Sequence, residues 1–259
     1  MNSLTRIDRQ RGLTLVEIMV ALVISLFLLA GLLQMFIGTR QSSRVQENLS
    51  RVQENGRFAI DFLSRNIRLA GYRSRATIEE GRSFEDKFSG VRAIQGTNDD
   101  GTNGSDTLTV VFEGEGAGQG DIRNCLNAQI ISSAVAPVTS SNVFTVSYDS
   151  ASDKYALRCQ SGAGVAAQAI LEDIENMQIL YGENTDGDVF GGADRYVPAN
   201  NVGSWDRVVS LRISVLIRTQ ENNLVGAPQP YSFNGATTTP TDRRLRRVFT
   251  TTITLRNRA

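Results

Sequence analysis

The sequence predicts an α+β protein: one long N-terminal helix, membrane-spanning in its first half and amphipathic in its second, packed on an antiparallel β-sheet. Three observations carry this. Residues 13–37 form an apolar run; from residue 45 to 67 apolar side chains recur every three or four positions. Beyond Gly71 short alternating stretches are separated by Gly, Asn, Asp and Ser, with no βαβ rhythm. The 259 residues are enough for one sizeable core or two small ones.

The N-terminus, "MNSLTRIDRQRG", is polar and sets Arg6, Arg9 and Arg11 against Asp8. As a helix, residues 13–37 span ~37 Å, sufficient for the hydrocarbon layer. The basic flank predicts a cytoplasmic N-terminus and an outward-facing C-terminal bulk. The run is too long for an ordinary secretory signal, and no A-x-A-like site follows it. The small residue that can mark a cut, Gly12, precedes the run, so cutting there removes the leader and keeps the helix. Glu17 stands inside the run, where an unpaired carboxylate costs a few kcal/mol.

Val45, Leu49, Val52, Gly56, Ile60, Leu63 and Ile67 continue the helix as one face. "RVQEN" occurs at 44–48 and 51–55, a heptad offset that places both copies on one side; Gly56 argues against a two-stranded coiled coil there. A helix from residue 13 to about 70 is ~85 Å long, and Gly71 reads as its left-handed stop. Strands are predicted at 106–114, 142–149, 154–159, 208–219 and 247–257. Residues 170–183 read as a helical turn followed by a strand in which Met177, Ile179 and Tyr181 alternate.

Charge is balanced at 27 basic and 27 acidic residues, which argues against a nucleic-acid binder. Lys87 and Lys154 are the only lysines, and histidine is absent. Without histidine the commonest general base and metal ligand are gone. No nucleophile elbow, Walker or zincin pattern occurs, and Glu79 and Glu80 sit in polar sequence that gives no reason for a shifted pKa. No enzymatic role and no cofactor are expected. "ENTDGDVFGGAD" offers Asp186, Asp188 and Asp194 at a partial calcium-loop spacing without the twelfth-position glutamate; no metal site is assigned, since such clusters also make ordinary turns. "RRLRR" at 243–247 is expected to line a solvated sheet edge or to pair with acids of a neighbouring subunit. Tyr196 and Trp205 read as core or interface anchors. Cys125 and Cys159 read as a disulfide if the domain is exported and as two thiols if it is not; the N-terminus favours export, and the bridge would contribute ~3–4 kcal/mol.

Gly12 followed by "LTLVEIMVALVIS", with glutamate at the fifth position after the glycine, resembles the class III signal of type IV pilins and type II secretion pseudopilins. "GRFAIDFLSRNIRLAGY" (56–72), "YGENTDGD" (181–188), "RYVPANNVGSWDRVVSLRISVLIRT" (195–219) and "RRLRRVFTTTITLRN" (243–257) resemble the PilW family of minor pilins and, less closely, the J-type minor pseudopilins. The resemblance implies a leader at 1–12, a transmembrane and filament-core helix at 13–40, an amphipathic extension at 41–71 and a β-rich periplasmic or extracellular domain at 72–259. A prepilin peptidase would cut between Gly12 and Leu13 and methylate Leu13. The implied protein is a single-pass inner-membrane precursor of a Gram-negative bacterium that enters a pilus at or near its tip. Its implied partners are other minor pilins, the major pilin and the assembly platform, with a large tip adhesin as a further candidate. Glu17 would meet the new Leu13 amine of its own chain or of the next subunit. Two departures stand out: Leu13 replaces the phenylalanine frequent in the family, and Gln34 stands where many major pilins have proline. The alternatives are a J-type pseudopilin, a DNA-uptake pseudopilus component and a signal-anchored periplasmic module.

Overall fold

A computed structural model describes residues 12, 14–75, 78, 90–116, 120–132, 138–186, 188 and 191–257. Residues 1–11 of the leader, Leu13, Glu79, Glu80 and Lys87 lie outside the described residues. The chain divides into two units, Met1–Glu47 and Asn48–Ala259. A single helix, α1 (Leu15–Ile67), contributes to both.

The second unit holds two large antiparallel sheets where the sequence predicts one, beside two small two-stranded sheets. In the five-stranded sheet, β1 (Ile94–Thr97), β2 (Thr107–Glu113), β3 (Thr139–Asp149), β4 (Lys154–Ser161) and β5 (Gln168–Glu172) lie side by side in chain order. The four-stranded sheet contains β6 (Ile174–Glu183), β7 (Arg195–Val197), β8 (Val208–Arg218) and β9 (Arg246–Thr254), in the order β9-β8-β6-β7. A single residue, Asp173, separates β5 from β6 and turns the chain from one sheet to the other with φ of 66°. Its N–H donates to the Tyr155 carbonyl (2.7 Å), and its carbonyl accepts from the Arg218 N–H (3.0 Å). Residues 170–183 are therefore strand on both sides of a corner, and the helical turn expected at their start is absent. The left-handed conformation of Asp173 stops such a turn, while β4 and β8 offer ladders to the two halves.

Alternation in β8 places Leu211, Ile213, Val215 and Ile217 on the core face, all fully buried. Met177, Ile179 and Tyr181 of β6, Phe112 of β2, Phe144 of β3 and Leu157 of β4 join them. The helix closes this core along Asn48, Val52, Gly56, Ala59, Leu63, Asn66 and Ile67. That face is rotated from the expected one, because Val45, Leu49 and Ile60 are only half-buried. The centre of the contact is made by small and amide residues, which apolar spacing does not reveal.

Gly56 sits at the closest approach. A Cβ there would collide with the outer edge of the Phe249 ring of β9, so a side chain at 56 would force that ring or the helix to move. Asn66 answers a different demand. Its Nδ2 donates to the Phe62 carbonyl (2.9 Å), and its Oδ1 accepts from Asn142 Nδ2 (2.9 Å). The Asn142 Oδ1 accepts in turn from the Cys125 N–H (3.2 Å). Helix, β3 and the loop carrying Cys125 are thus joined by buried hydrogen bonds, as burial of amides requires. Cys125 and Cys159 form a disulfide with a Cα–Cα distance of 6.4 Å. The helix ends as expected: Gly71 has φ of 69°, and Asn257 Nδ2 donates to the otherwise open carbonyl of Arg68 (3.0 Å).

Gly56→Ala is expected to destabilise the protein by ~1–3 kcal/mol through overpacking, although alanine is the better helix former by ~1 kcal/mol. Phe249→Leu placed in the Gly56→Ala background should recover part of the loss; thermal denaturation of both variants measures this, and a stabilised single variant would contradict the close approach. A second expectation concerns Asp106, whose carboxylate accepts from the amides of Asp99 (2.9 Å) and Ile179 (2.6 Å). Burial pushes its pKa up to about 6 against the pull of those amides. The folded protein thus holds this proton more tightly than the unfolded chain. The stability it contributes is complete below about pH 4 and is lost as pH rises through about 6, on the order of 3 kcal/mol. Asp173, raised mainly by burial, acts with the same sign. Asp106→Asn should reduce the slope of melting temperature between pH 4 and 6; an unchanged slope would remove Asp106 as its cause.

Candidate functional site

The first unit is helical from Leu15 onward, and its start is set by Thr14. Thr14 Oγ1 accepts from the Glu17 N–H (3.3 Å), and the Thr14 carbonyl accepts from the amides of Glu17 (3.1 Å) and Ile18 (3.2 Å). Thr14 is the N-cap, and Glu17 is the third residue of the first turn. The sequence signal for this is T-x-x-E, residues 14–17, the pattern of a capping box set inside an apolar segment. A carboxylate in the first turn also faces the positive end of the helix dipole.

From Leu15 to Ile37 every large apolar side chain is exposed, from 48% at Ile18 to 74% at Leu15 and Phe27. This helix is long and apolar enough to cross a membrane. Its few hydroxyls are satisfied from within: Ser25 Oγ donates to the Ala21 carbonyl (2.7 Å) and Thr39 Oγ1 to that of Met35 (2.8 Å). Helical hydrogen bonding continues through Gly31, Gln34 and Gly38. Arg40 stacks its guanidinium over the Phe36 ring at 4.3 Å where the apolar stretch ends. Within this apolar stretch Glu17 is the charged residue, and its carboxylate has no hydrogen bond or ion pair among the described residues. The helix thus offers a greasy surface with one unmatched negative charge near its beginning. Gly12 is described and exposed; Leu13 is not among the described residues.

The other candidates have domestic duties. Asp194 Oδ2 accepts from the Thr185 N–H (2.6 Å), the Thr185 hydroxyl (3.0 Å) and the Asp186 N–H (3.2 Å), while Asp186 Oδ1 accepts from the Asp188 N–H (3.0 Å). Those amides hold the Asp194 carboxyl below the ordinary aspartate range. Among the described residues no three His, Cys, Asp or Glu side chains gather as a metal site. At the start of the same loop, Glu183 is buried and clamped by Arg195 (2.8 Å) and by the amides of Gly203 (2.7 Å) and Ser204 (3.0 Å). Burial alone would raise its pKa; the Ser204 amide and Arg195 outweigh it and hold it low.

The "RRLRR" stretch departs from expectation. Arg243 and Arg247 face solvent, but Arg244 and Arg246 turn inward and pair within the chain. Arg246 binds Glu175 (2.6 and 3.0 Å) and Asp242 (2.8 Å) in two-pronged geometry. Arg244 and Arg218 both reach Asp153, at 2.6 and 3.1 Å, in the turn between β3 and β4. Asp153 therefore ties the five-stranded sheet to two arginines of the four-stranded sheet's side. Tyr196 lies under the Arg212 guanidinium at 4.1 Å, and Trp205 meets Tyr181 edge-on at 4.8 Å, so both work within the domain.

Comparison with known proteins bears on both ends of the chain. The sequence model of the family described as Type IV Pilus-assembly protein W matches residues 143–257. That of the Prokaryotic N-terminal methylation motif matches residues 7–33, which contain Gly12, Leu13 and Glu17. Among solved structures, a type IV-like pilin from Thermus thermophilus is 16% identical, with a TM-score of 0.43, over 83% of this chain and 99% of its own. No curated protein matches. The match to the methylation motif thus falls on the apolar helix, and the match to the PilW family model runs from within β3 through β9.

Proposed function

We propose that this protein is a minor pilin that primes assembly of a type IV pilus and is built in at or near its tip. The observation that carries the reading is the unmatched Glu17 carboxylate in the capped first turn of an exposed apolar helix. In lipid this charge costs a few kcal/mol. Cleavage after Gly12 by a prepilin peptidase would create a positive amine on Leu13, which the same enzyme then methylates. In a stack of parallel helices, Glu17 of an incoming subunit meets the amine of a neighbour. The attraction is strong because the surroundings have a low dielectric, and it sets the axial register. The apolar residues from Leu15 to Ile37 then exchange lipid for the helices of other minor pilins and the major pilin.

Before assembly the helix anchors the precursor in the inner membrane, leader inside and β-rich domain in the periplasm. The Cys125–Cys159 disulfide suits that placement, since such bonds persist outside the reducing cytosol. The partners are the prepilin peptidase, the assembly platform and the other pilins; the role is one of binding, with no reaction catalysed.

Mass spectrometry of the purified protein should find a mature N-terminus at a methylated Leu13. Glu17→Ala should leave that processing intact and lower the amount of protein in sheared pili at least tenfold. Normal incorporation of the variant would sink the docking role, and retention of Met1 in the wild type would sink the pilin reading.

A further inference from the structure

The outer strands of the two sheets are unequal. β7 has three residues and β1 four. β5 has five, and its pairing with β4 is interrupted by a register shift between Leu157 and Arg158. β9 has nine residues, from Arg246 to Thr254, and pairs with β8 at every one without a shift. Short or broken edges are the usual protection against unwanted strand pairing. β9 lacks them, and its run from Val248 to Thr254 contains neither proline nor charge.

The edge has a defined chemistry. Leu255 donates its N–H to the Val209 carbonyl, continuing the ladder to β8. Alternation along an antiparallel pair then turns the backbone groups of Phe249, Thr251 and Ile253 toward β8 and those of Val248, Thr250 and Thr252 away from it. No described residue takes up these outward groups. Beside them lies a groove of about 460 Å³, lined by Gln53 and Arg57 of α1 and by Arg247, Val248 and Phe249. Arg57 and Arg247 are exposed and make no ion pair among the described residues. From Arg243 to the C-terminus the sequence contains arginines and no aspartate or glutamate.

We propose that β9 is a docking edge for an extended acidic segment of another protein, which adds to the four-stranded sheet as a fifth strand. The outward backbone groups of Val248, Thr250 and Thr252 supply the ladder, and Arg57 and Arg247 receive the carboxylates. A second copy of β9 fits less well, because it would bring an arginine-bearing, acid-free strand against its like. The inference stands on the second unit alone and does not need the pilus reading.

The test uses the full chain in detergent micelles and a blocked nine-residue peptide of alternating valine and glutamate, with a valine–lysine peptide as counterpart. Fluorescence anisotropy should show the acidic peptide bound at least tenfold more tightly. Amide hydrogen exchange should slow at Val248, Thr250 and Thr252 when it is bound. Arg57→Glu combined with Arg247→Glu should reverse the preference. Thr250→Pro, which removes an outward N–H and keeps the ladder to β8, should weaken binding at least tenfold at unchanged melting temperature; if that variant unfolds, the charge reversal and the exchange pattern decide. Equal binding of both peptides, binding without protection in β9, or light scattering that shows a peptide-free dimer through β9 would each overturn the proposal.

Discussion

The contact between the helix from Asn48 to Ile67 and the two sheets is the one on which the domain depends, because both sheets use it to complete their cores. Gly56 serves the four-stranded side, where Phe249 lies beneath it. Farther along, Phe62 meets Phe144 of the five-stranded sheet edge-on at 6.0 Å. Dispersion forces fall off steeply with distance, so a helix held farther away by a larger residue at 56 would lose many contacts together. The small residue at the centre of this face is therefore a condition of the packing rather than a weak point in the helix. The C-terminal strand closes the arrangement from both ends, with Phe249 under the helix and Asn257 on its last carbonyls.

The interior is unusually rich in charge for a domain with an ordinary apolar core. Glu175, Glu183, Asp106, Arg218 and Arg244 are all buried. Each carboxylate among them has answering donors: Arg246 for Glu175, Arg195 and two amides for Glu183, two amides for Asp106. Removing one partner would strand the other in a poor dielectric, which costs more than such a pair gains over an apolar replacement. Pairings of this kind select one arrangement over near alternatives. Asp153 shows how: a turn joining β3 and β4 can satisfy Arg218 and Arg244 together only when the two sheets stand in this relation.

How much of this was legible depends on whether a residue's work is done by its period or by its partner. The apolar run, the long helix, the Gly71 stop and the alternation of β8 and β9 follow from spacing, and all are present. Asn48 and Asn66 escaped because polar residues at a buried centre look like breaks in an apolar stripe. The second sheet escaped because its boundary is one residue, Asp173, whose left-handed backbone leaves no mark in hydropathy. Arg244 and Arg246 carry the pattern of a solvated edge or of charges awaiting another subunit, since nothing local announces Glu175 or Asp153 as partners distant in sequence. Thr14 was legible and overlooked, its hydroxyl hidden inside an apolar segment. At the N-terminus the spacing from Gly12 to Glu17 was enough to point to a family, because there the information lies in consecutive residues.

Charge is handled in opposite ways by the two units. In the domain, buried carboxylates are matched within the chain, and a disulfide and an amide chain fix the loop that carries Cys125. In the first unit the apolar part of the helix bonds its hydroxyls internally, and the Glu17 carboxylate has no partner among the described residues. Had Glu17 been needed only to start the helix, a neutral cap would serve at lower cost in lipid, and Thr14 already provides one. Its charge is thus redundant for folding. On the function proposed above, a group that is costly in the membrane and not needed to cap the helix gains from an encounter with a positive partner, and cleavage after Gly12 would create one four residues away, at Leu13.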